Sequence, residues 1–237
     1  ADSRIAMLSE MEKEYEGFAG AVKTVMREAR RGTLRGVHGT VAELLRADER
    51  CTFAIETALG AAIQNVVVDT QDDGRRAIEL LKRRDAGRAT FLPLDTIRGG
   101  RLDRIPSEDE GCLGLAVDLI EFEAKYKNVF ENLLGRTLIA ETLTDAIAIS
   151  RRNGGNRLRI VTLDGQLINA GGSMTGGSAS RNAGILSRRA ELEKLQGSRG
   201  RLAKARDELA ARVETLKREL ASARYELDVA AQELQSV

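Results

Sequence analysis

The chain has 237 residues, of which 37 are Lys or Arg and 36 are Asp or Glu, so its formal net charge is only +1. This balance excludes a uniformly basic nucleic-acid binder, and any basic surface must be local. Charged residues make up 31% of the chain and aromatic residues 3%, without Trp, which is typical of helical and coiled-coil proteins.

The first part of the chain carries a heptad pattern. Apolar residues occupy its a and d positions, at Leu8, Met11, Tyr15, Phe18, Val22 and Val25. A 3.5-residue repeat places these side chains on one seam, which has to be buried against a partner helix. We therefore expect residues 1–31 to form an N-terminal coiled-coil arm.

The middle of the chain contains an internal duplication. Residues 36–60 align with residues 111–135 without a gap, at a constant offset of 75. The identical pairs are Gly36 and Gly111, Gly39 and Gly114, Leu44 and Leu119, Glu56 and Glu131, Leu59 and Leu134, and Gly60 and Gly135. Shared helix composition is the alternative explanation, but glycine pairs at both ends of the match favour a duplication.

Each copy continues as a predicted strand–helix–strand unit. Apolar residues 65–70 and 137–142 read as strands that end in an acidic residue and Thr. The following helices begin with the spacing of a capping box, and their inner faces are predicted to carry Ala77-Ile78 and Ala146-Ile147. The capping pairs are Thr70 with Asp73 and Thr142 with Asp145.

A second strand closes each unit, at residues 88–92 and 158–163, and a right-handed crossover predicts parallel pairing with the first strand. Asp164-Gly165 reads as a hairpin turn into residues 166–170. Residues 98–111, rich in Gly, Pro and charge, read as the linker between the two units.

The C-terminal stretch carries a longer heptad repeat. Its d positions hold Leu195, Leu202, Leu209, Leu216, Ala223, Ala230 and Val237, and its a positions hold Leu192, Arg199, Arg206, Val213, Leu220, Leu227 and Leu234. Gly197 to Gly200 is the weak point, because each glycine costs a helix about 1 kcal/mol. The simplest partner is the N-terminal arm, running antiparallel. Two amphipathic helices lying on a globular core are the alternative.

Together these elements predict a mixed α/β (α+β) fold. Two similar small α/β subdomains, residues 32–110 and 111–184, lie between coiled-coil arms at residues 1–31 and 185–237. Both ends fall within a heptad, so we expect the chain to be a piece of a longer protein. No apolar run reaches the ~20 residues of a membrane-spanning helix, so no membrane partner is expected.

In this order, several stretches resemble the hinge domain of bacterial SMC (structural maintenance of chromosomes) proteins, which are condensin-type, chromosome-organising ATPases. Ala170 is a mild departure, because a proline is expected before the glycine pair. The similarity covers residues 20–190, and the stretches that carry it are 36–39, 54–60, 64–68, 89–95, 133–138 and 160–177.

This resemblance implies a hinge that forms a homodimer. Two hinges would make a ring-shaped dimer whose long antiparallel arms lead to ATPase heads absent from this chain. Kleisin and accessory subunits are expected only at those heads, and the location is expected to be cytoplasmic, with the nucleoid. The function implied is chromosome condensation and segregation, and the hinge itself is expected not to be an enzyme. Consistent with this, the sequence has no GxxxxGK[S/T] phosphate-binding loop.

Four glycines are the predicted dimer interface. Gly171, Gly172, Gly176 and Gly177 lack a Cβ and would let two backbones approach closely, which is the role that the resemblance implies for this segment. An anion-binding nest and a flexible turn are the alternatives. The stretch 91–95 reads as an edge strand that could pair with a second subunit, or as an ordinary strand end, because Pro93 cannot donate to a sheet.

Basic residues cluster where the predicted arms meet the subdomains. They are Arg27, Arg30, Arg31 and Arg35 on the N-terminal side, and Arg181, Arg188, Arg189 and Lys194 on the C-terminal side. The candidate DNA contacts are Arg30, Arg31, Arg35, Arg188 and Arg189. Such contacts would go to phosphates, without base readout, and would be salt-sensitive. The alternative is a solvated face balanced by nearby Glu residues.

Catalytic, cofactor-binding and metal sites are not predicted. His38 is the only histidine and has no carboxylate, Ser or Cys constellation around it in the sequence, and Cys51 and Cys112 form no CxxC. Two rival functions remain open at this point. One is a nucleotide-binding α/β enzyme domain, and the other is a coiled-coil scaffold without DNA contact.

Overall fold

A computed structural model of the chain describes residues 2–104, 106, 109–154, 157–178 and 184–235. Contacts divide the chain into two compact units. Met7–Ala190 forms the larger unit, and the described residues of Ala1–Ala6 and Glu191–Val237 form the other. The subdomain and arm boundaries given above stay predictions.

The described residues contain eight α-helices and ten β-strands. The helices are α1 (Asp2–Lys13), α2 (Gly20–Arg30), α3 (Val41–Leu44), α4 (Thr52–Leu59), α5 (Gln71–Arg83), α6 (Lys127–Leu134), α7 (Leu143–Arg152) and α8 (Ile185–Gln235). The strands are β1 (Val37–Thr40), β2 (Arg46–Ala47), β3 (Val66–Val68), β4 (Phe91–Pro93), β5 (Cys112–Leu115), β6 (Ile120–Glu121), β7 (Thr137–Ala140), β8 (Arg159–Thr162), β9 (Leu167–Ile168) and β10 (Met174–Thr175).

The two halves of the larger unit have the same strand arrangement. In the first half, β3 pairs antiparallel with β1 and parallel with β4. In the second half, β7 pairs antiparallel with β5 and parallel with β8, and the sheet continues through β9 to β10. The register of β1 shifts between Val37 and Gly39, and that of β5 shifts between Cys112 and Gly114. The two shifts occur at equivalent positions, 75 residues apart, so both copies of the duplication have the same backbone irregularity.

Both predicted capping boxes are confirmed. The Thr70 hydroxyl accepts a hydrogen bond from the Asp73 N–H, and Thr142 and Asp145 repeat this contact at the start of α7. The predicted parallel strand pairs and the hairpin between β8 and β9 are confirmed as well. These features follow from local rules of helix capping and crossover, which explains why the sequence predicts them well.

Strands β2 and β6 join the two halves as a short antiparallel pair. Arg46 lies opposite Glu121, and these two residues occupy equivalent positions in the duplication. Equivalent residues that pair with each other in an antiparallel ladder fit a local two-fold relation between the two strands, with the axis passing between the paired residues. The opposite charges of this pair also suit directly facing positions on a sheet.

Two hydrophobic clusters form the core. The larger cluster draws from both halves and includes Ile55, Phe130, Leu138 and Ile160, each with an exposed fraction of 0%. The smaller cluster packs α2 and α5 against β3. Ala77 and Ala146 are buried as predicted, but Ile78 is 43% exposed, so its placement on the inner face was wrong. Consecutive helical residues are 100° apart, and Ala77 takes the inward position.

The N-terminal heptad does not form one continuous helix. Helix α1 ends at Lys13 and α2 begins at Gly20, with positive φ angles of 52° at Tyr15 and 90° at Gly17 between them. The apolar positions Leu8, Tyr15 and Val22 are nevertheless buried. The heptad pattern therefore predicted which residues are buried, but it could not show that the backbone turns between them.

Charged pairs show that α1 and α8 run antiparallel. In the smaller unit, Arg4 pairs with Glu191 at 2.7 Å and Asp2 pairs with Arg199 at 3.6 Å. Helix α8 continues for 51 residues without a break at its two internal glycines. Beyond Gly200 its apolar seam is exposed, at Leu202, Leu209, Val213, Leu216, Leu220, Leu227 and Leu234.

Candidate functional site

The glycine-rich segment lies at one edge of the five-stranded sheet. Strand β10 pairs with β9 on one side, Met174 opposite Ile168 and Thr175 opposite Leu167, and β10 is the last strand of that sheet. The side chain of Met174 is 54% exposed. Within the described residues, the outer backbone edge of β10 is therefore open to another strand.

The predicted interface glycines differ in what surrounds them. Gly171 and Gly177 have φ angles of 103° and 140°, and a Cβ on either would meet no atom of the described chain within 4 Å. The space beside these two residues is thus open. Gly172 also has a positive φ, of 92°. A Cβ on Gly176 would instead collide with the Gln166 amide, so Gly176 serves a contact within the chain.

Gln166 holds this segment in place. Its side-chain oxygen accepts a hydrogen bond from the Gly177 N–H at 2.8 Å, and its NH₂ donates to the Gly177 carbonyl at 3.2 Å. This pair of bonds fixes the backbone just beyond β10. The sequence does not single out Gln166, because nothing in it indicates that this side-chain amide binds Gly177, 11 residues later.

The three-stranded sheet has a second edge of the same kind. Strand β4 is its outer strand, and it pairs only with β3 among the described strands. The prediction of an edge strand at 91–95 agrees with this placement, since Pro93, the last residue of β4, has no N–H to donate. Strands β4 and β10 are thus each the outer strand at one edge of a sheet, one from each half, and β1 and β5 are the outer strands at the opposite edges.

Two of the predicted DNA-contacting arginines from the N-terminal side have partners within the chain. Arg30 donates to the Lys13 carbonyl at 3.1 Å and to the Tyr15 hydroxyl at 3.2 Å. Arg31 pairs at 3.1 Å with the buried Glu28. Arg35 is exposed, and within the described part of the chain it makes no hydrogen bond or ion pair.

The arginines from the C-terminal side also bind the chain itself. Arg188 donates to the Glu16 carbonyl at 2.8 Å. Arg189 donates to the Ala42 carbonyl at 2.7 Å and lies 3.7 Å from the Glu12 carboxylate. The structure thus brings Arg30, Arg188 and Arg189 to one segment, residues 12–16 together with Ala42. Arg181 lies outside the described residues.

His38 joins the two halves. Its Nε2 lies 2.7 Å from Asp69 Oδ1, and its Nδ1 lies 3.0 Å from the hydroxyl of Tyr126 in the other half. Because a carboxylate only accepts, Nε2 carries a proton and donates to Asp69, and in the tautomer protonated at Nε2 alone Nδ1 accepts from Tyr126. The contact pairs His38 with residues that the sequence did not single out, and it supports a structural role.

Reactive groups are sparse in the described residues. They contain no group of three or more His, Cys, Asp or Glu side chains that could hold a metal ion. Burial raises the pKa of the Cys51 thiol and of the Cys112 thiol, which disfavours the reactive thiolate. Across the same residues, no helix combines the length and the apolar content needed to cross a membrane.

Comparisons with known proteins agree with this architecture. Residues 34–150 match the family described as SMC proteins Flexible Hinge Domain. The chain is 41% identical over 177 residues to the chromosome partition protein Smc of Desulfitobacterium hafniense, and 42% identical over 179 residues to that of Bacillus subtilis. These matches cover 73% and 74% of the chain, but the chain spans only 15% of the length of either relative.

Among solved structures, the chain is similar to an asymmetric dimer of the Geobacillus stearothermophilus SMC hinge domain. The TM-score is 0.79 and the sequence identity 36%, and the match covers 95% of this chain and 89% of the other. The duplicated strand–helix–strand halves, the antiparallel arm helices and this coverage together lead to one assignment: the chain belongs to the family of SMC hinge domains.

Proposed function

We propose that the chain is the homodimerisation hinge of a bacterial chromosome partition SMC protein. The observation that carries this proposal is the pair of open strand edges, β4 in the first half and β10 in the second. Two copies related by a two-fold axis can join β4 of each to β10 of the other. Both edges are then paired, and the assembly closes as a ring.

The glycines support this pairing. An added strand binds mainly through backbone hydrogen bonds, and side chains that protrude at the contact hinder its approach. The open space beside Gly171 and Gly177 leaves β10 free to receive such a strand. The similar Geobacillus stearothermophilus structure is described as a dimer, which supports self-association here.

In the whole protein, the ring would join two coiled-coil arms whose far ends carry ATPase heads and bind kleisin and accessory subunits. The hinge would contribute no catalysis, and its place would be in the cytoplasm, on the nucleoid. DNA would contact the hinge where the arms leave it, through phosphates and without base readout. Arg35 supports this second part, because it is exposed and unpaired within the described chain.

Light scattering with separation by size tests the dimer. Replacing the exposed Met174 of β10 by Glu should shift the protein to a monomer, since a buried unpaired carboxylate opposes association. Ile78→Glu is the matched control, because Ile78 is also exposed but lies on α5. A wild-type protein that is monomeric at every concentration, or a Met174→Glu variant as dimeric as Ile78→Glu, would contradict the proposal.

A further inference from the structure

Residues 12–19, which we name the arm bend, interrupt the helices of the N-terminal arm. Helix α1 ends within this segment, at Lys13, and α2 begins just after it, at Gly20. Where a helix ends, its last carbonyl groups lose their helical partners and need other donors. In the arm bend, the carbonyls of Lys13 and Glu16 find these donors in arginine side chains rather than in the following backbone.

Three guanidinium groups converge on the arm bend. Arg30 comes from the last turn of α2 and binds the Lys13 carbonyl. Arg188 comes from the first turn of α8 and binds the Glu16 carbonyl. Arg189 follows it and links the Glu12 carboxylate to the Ala42 carbonyl. The arm bend is therefore attached both to α2 and to the base of α8.

A tyrosine completes the attachment. The Tyr15 hydroxyl donates to Glu43 at 2.8 Å and accepts from Arg30, whose Cζ lies 4.7 Å from the centre of the Tyr15 ring. Burial, together with the nearby Glu43 carboxylate, raises the pKa of Tyr15, which keeps the hydroxyl protonated and able to donate. Gly17 leaves room for Arg188, since a Cβ there would lie 2.8 Å from its Nη2.

We propose that Arg30, Arg188 and Arg189 form a clamp on the arm bend, and that duplex DNA opens the clamp by drawing these guanidinium groups to its phosphates. The opening step rests on the proposed DNA contact at this surface, whereas the clamp itself does not. Two acceptors of the clamp are neutral carbonyls near solvent, and a phosphate is a stronger acceptor for a guanidinium. The N–H groups that bind these carbonyls are not free to bind a phosphate at the same time, so phosphate contacts compete with the clamp.

The consequence is antagonism between DNA binding and a fixed arm bend. By thermodynamic linkage, DNA binding lowers the equilibrium constant for closing the clamp by the same factor by which the closed clamp lowers the affinity for DNA. A variant that weakens the clamp without removing an arginine should therefore bind DNA more tightly. Glu12→Gln is such a variant, because it removes one carboxylate that pairs with Arg189 and keeps all three cations.

Amide hydrogen exchange of residues 12–19, followed by mass spectrometry, tests the clamp. Arg188→Ala combined with Arg189→Ala should accelerate exchange there about tenfold without DNA, from the loss of charge-assisted hydrogen bonds. Tyr15→Phe, which keeps every arginine, should also accelerate it. Unchanged exchange in both variants would overturn the clamp.

A 30-base-pair duplex of mixed sequence tests the opening step. With the wild-type protein, saturating duplex should accelerate exchange of residues 12–19, and slower or unchanged exchange would overturn the proposal. Glu12→Gln should bind the duplex more tightly than Glu10→Gln, which changes the net charge equally but, among the described residues, removes only an exposed pair with Lys13. Equal affinities would also overturn it.

Two separate measurements distinguish a failure of the proposed DNA contact from a failure of the clamp. Binding of the duplex, followed by fluorescence anisotropy, decides the DNA part of the proposed function. If no binding occurs at low salt, that part and the opening step both fail. The exchange of the arginine variants without DNA then still decides the clamp.

Discussion

The carboxylate of Glu56 accepts a hydrogen bond from the Ser187 hydroxyl at 3.2 Å, although 131 residues separate them in the chain. The same carboxylate lies 3.4 Å from the backbone nitrogens of Leu186 and Ser187, in the first turn of α8. Glu56 on α4 thereby caps the N-terminus of the long arm helix. A negative charge at this end also complements the helix dipole.

Removing this cap should loosen the base of α8. We expect Glu56→Ala to lower the free energy of unfolding by about 1–2 kcal/mol, because the first N–H groups of the helix lose their acceptor. Urea unfolding followed by circular dichroism measures the change. Glu79→Ala on α5 removes an exposed carboxylate that pairs only with Arg75 among the described residues, and it should cost less than about 0.5 kcal/mol. Equal losses would contradict the capping role.

Glu131, the residue equivalent to Glu56 in the duplication, makes a related contact. Glu131 lies on α6, and its carboxylate is 3.8 Å from Arg101 in the segment that leaves the first half. Gly99 of that segment passes so close that a Cβ on it would lie 2.8 Å from the Glu131 Cβ. Each duplicated glutamate therefore holds the chain where it leaves the other half, which links the two halves at both exits.

Acid should weaken the helix cap of α5. Hydrogen bonds from Thr70, aided by Arg76, hold the pKa of Asp73 below its ordinary value. A carboxyl with a lower pKa in the folded state stabilises the fold above its unfolded pKa of about 3.9, and this contribution is lost as pH falls through the folded value. Asp73→Asn should therefore reduce the stability at pH 7 and flatten its decline below pH 4, as measured by thermal unfolding. Asp72→Asn, an exposed neighbour, serves as the control; the idea fails if both variants decline alike.

The link between the halves through His38 can be measured by a double-mutant cycle. His38→Ala leaves the hydroxyl of Tyr126, a residue that is 3% exposed, without its acceptor, so it should cost about 1–3 kcal/mol. Tyr126→Phe in the same protein removes that stranded hydroxyl and should restore part of the loss. We expect a coupling energy of about 0.5–3 kcal/mol from urea unfolding of the four proteins. Additive losses would mean that the contact contributes nothing.

The sequence predicts features that depend on neighbours along the chain. The capping pairs of α5 and α7 and the glycine turns follow from residues within a few positions of each other, and the parallel strand pairs follow from the rule for a strand–helix–strand connection. The arm bend could not be predicted, because Leu8, Tyr15 and Val22 continue the heptad pattern through it. Some of its partners are also far away in the chain, as in the contact of Arg188 with Glu16 at a separation of 172. The contact of Glu56 with α8 was missed for the same reason.

The candidate DNA surface was predicted by charge alone, and charge does not reveal which cations are already engaged. Arg31 is held by Glu28, which also pairs with Arg84 at 2.8 Å, so its charge is partly neutralised within the chain. Arg35 has no such partner among the described residues. The five predicted arginines therefore differ in their availability to phosphate.

This difference gives the last prediction. Arg35→Ala should weaken binding of a DNA duplex and reduce the slope of log affinity against log salt by about 0.9, the value for one phosphate contact. Arg75→Ala is the matched control, because Arg75 is also an exposed cation but pairs with Asp72 and Glu79. Its slope should equal that of the wild-type protein. Fluorescence anisotropy at four or more salt concentrations measures both slopes, and an unchanged slope for Arg35→Ala would exclude this residue from the DNA contact.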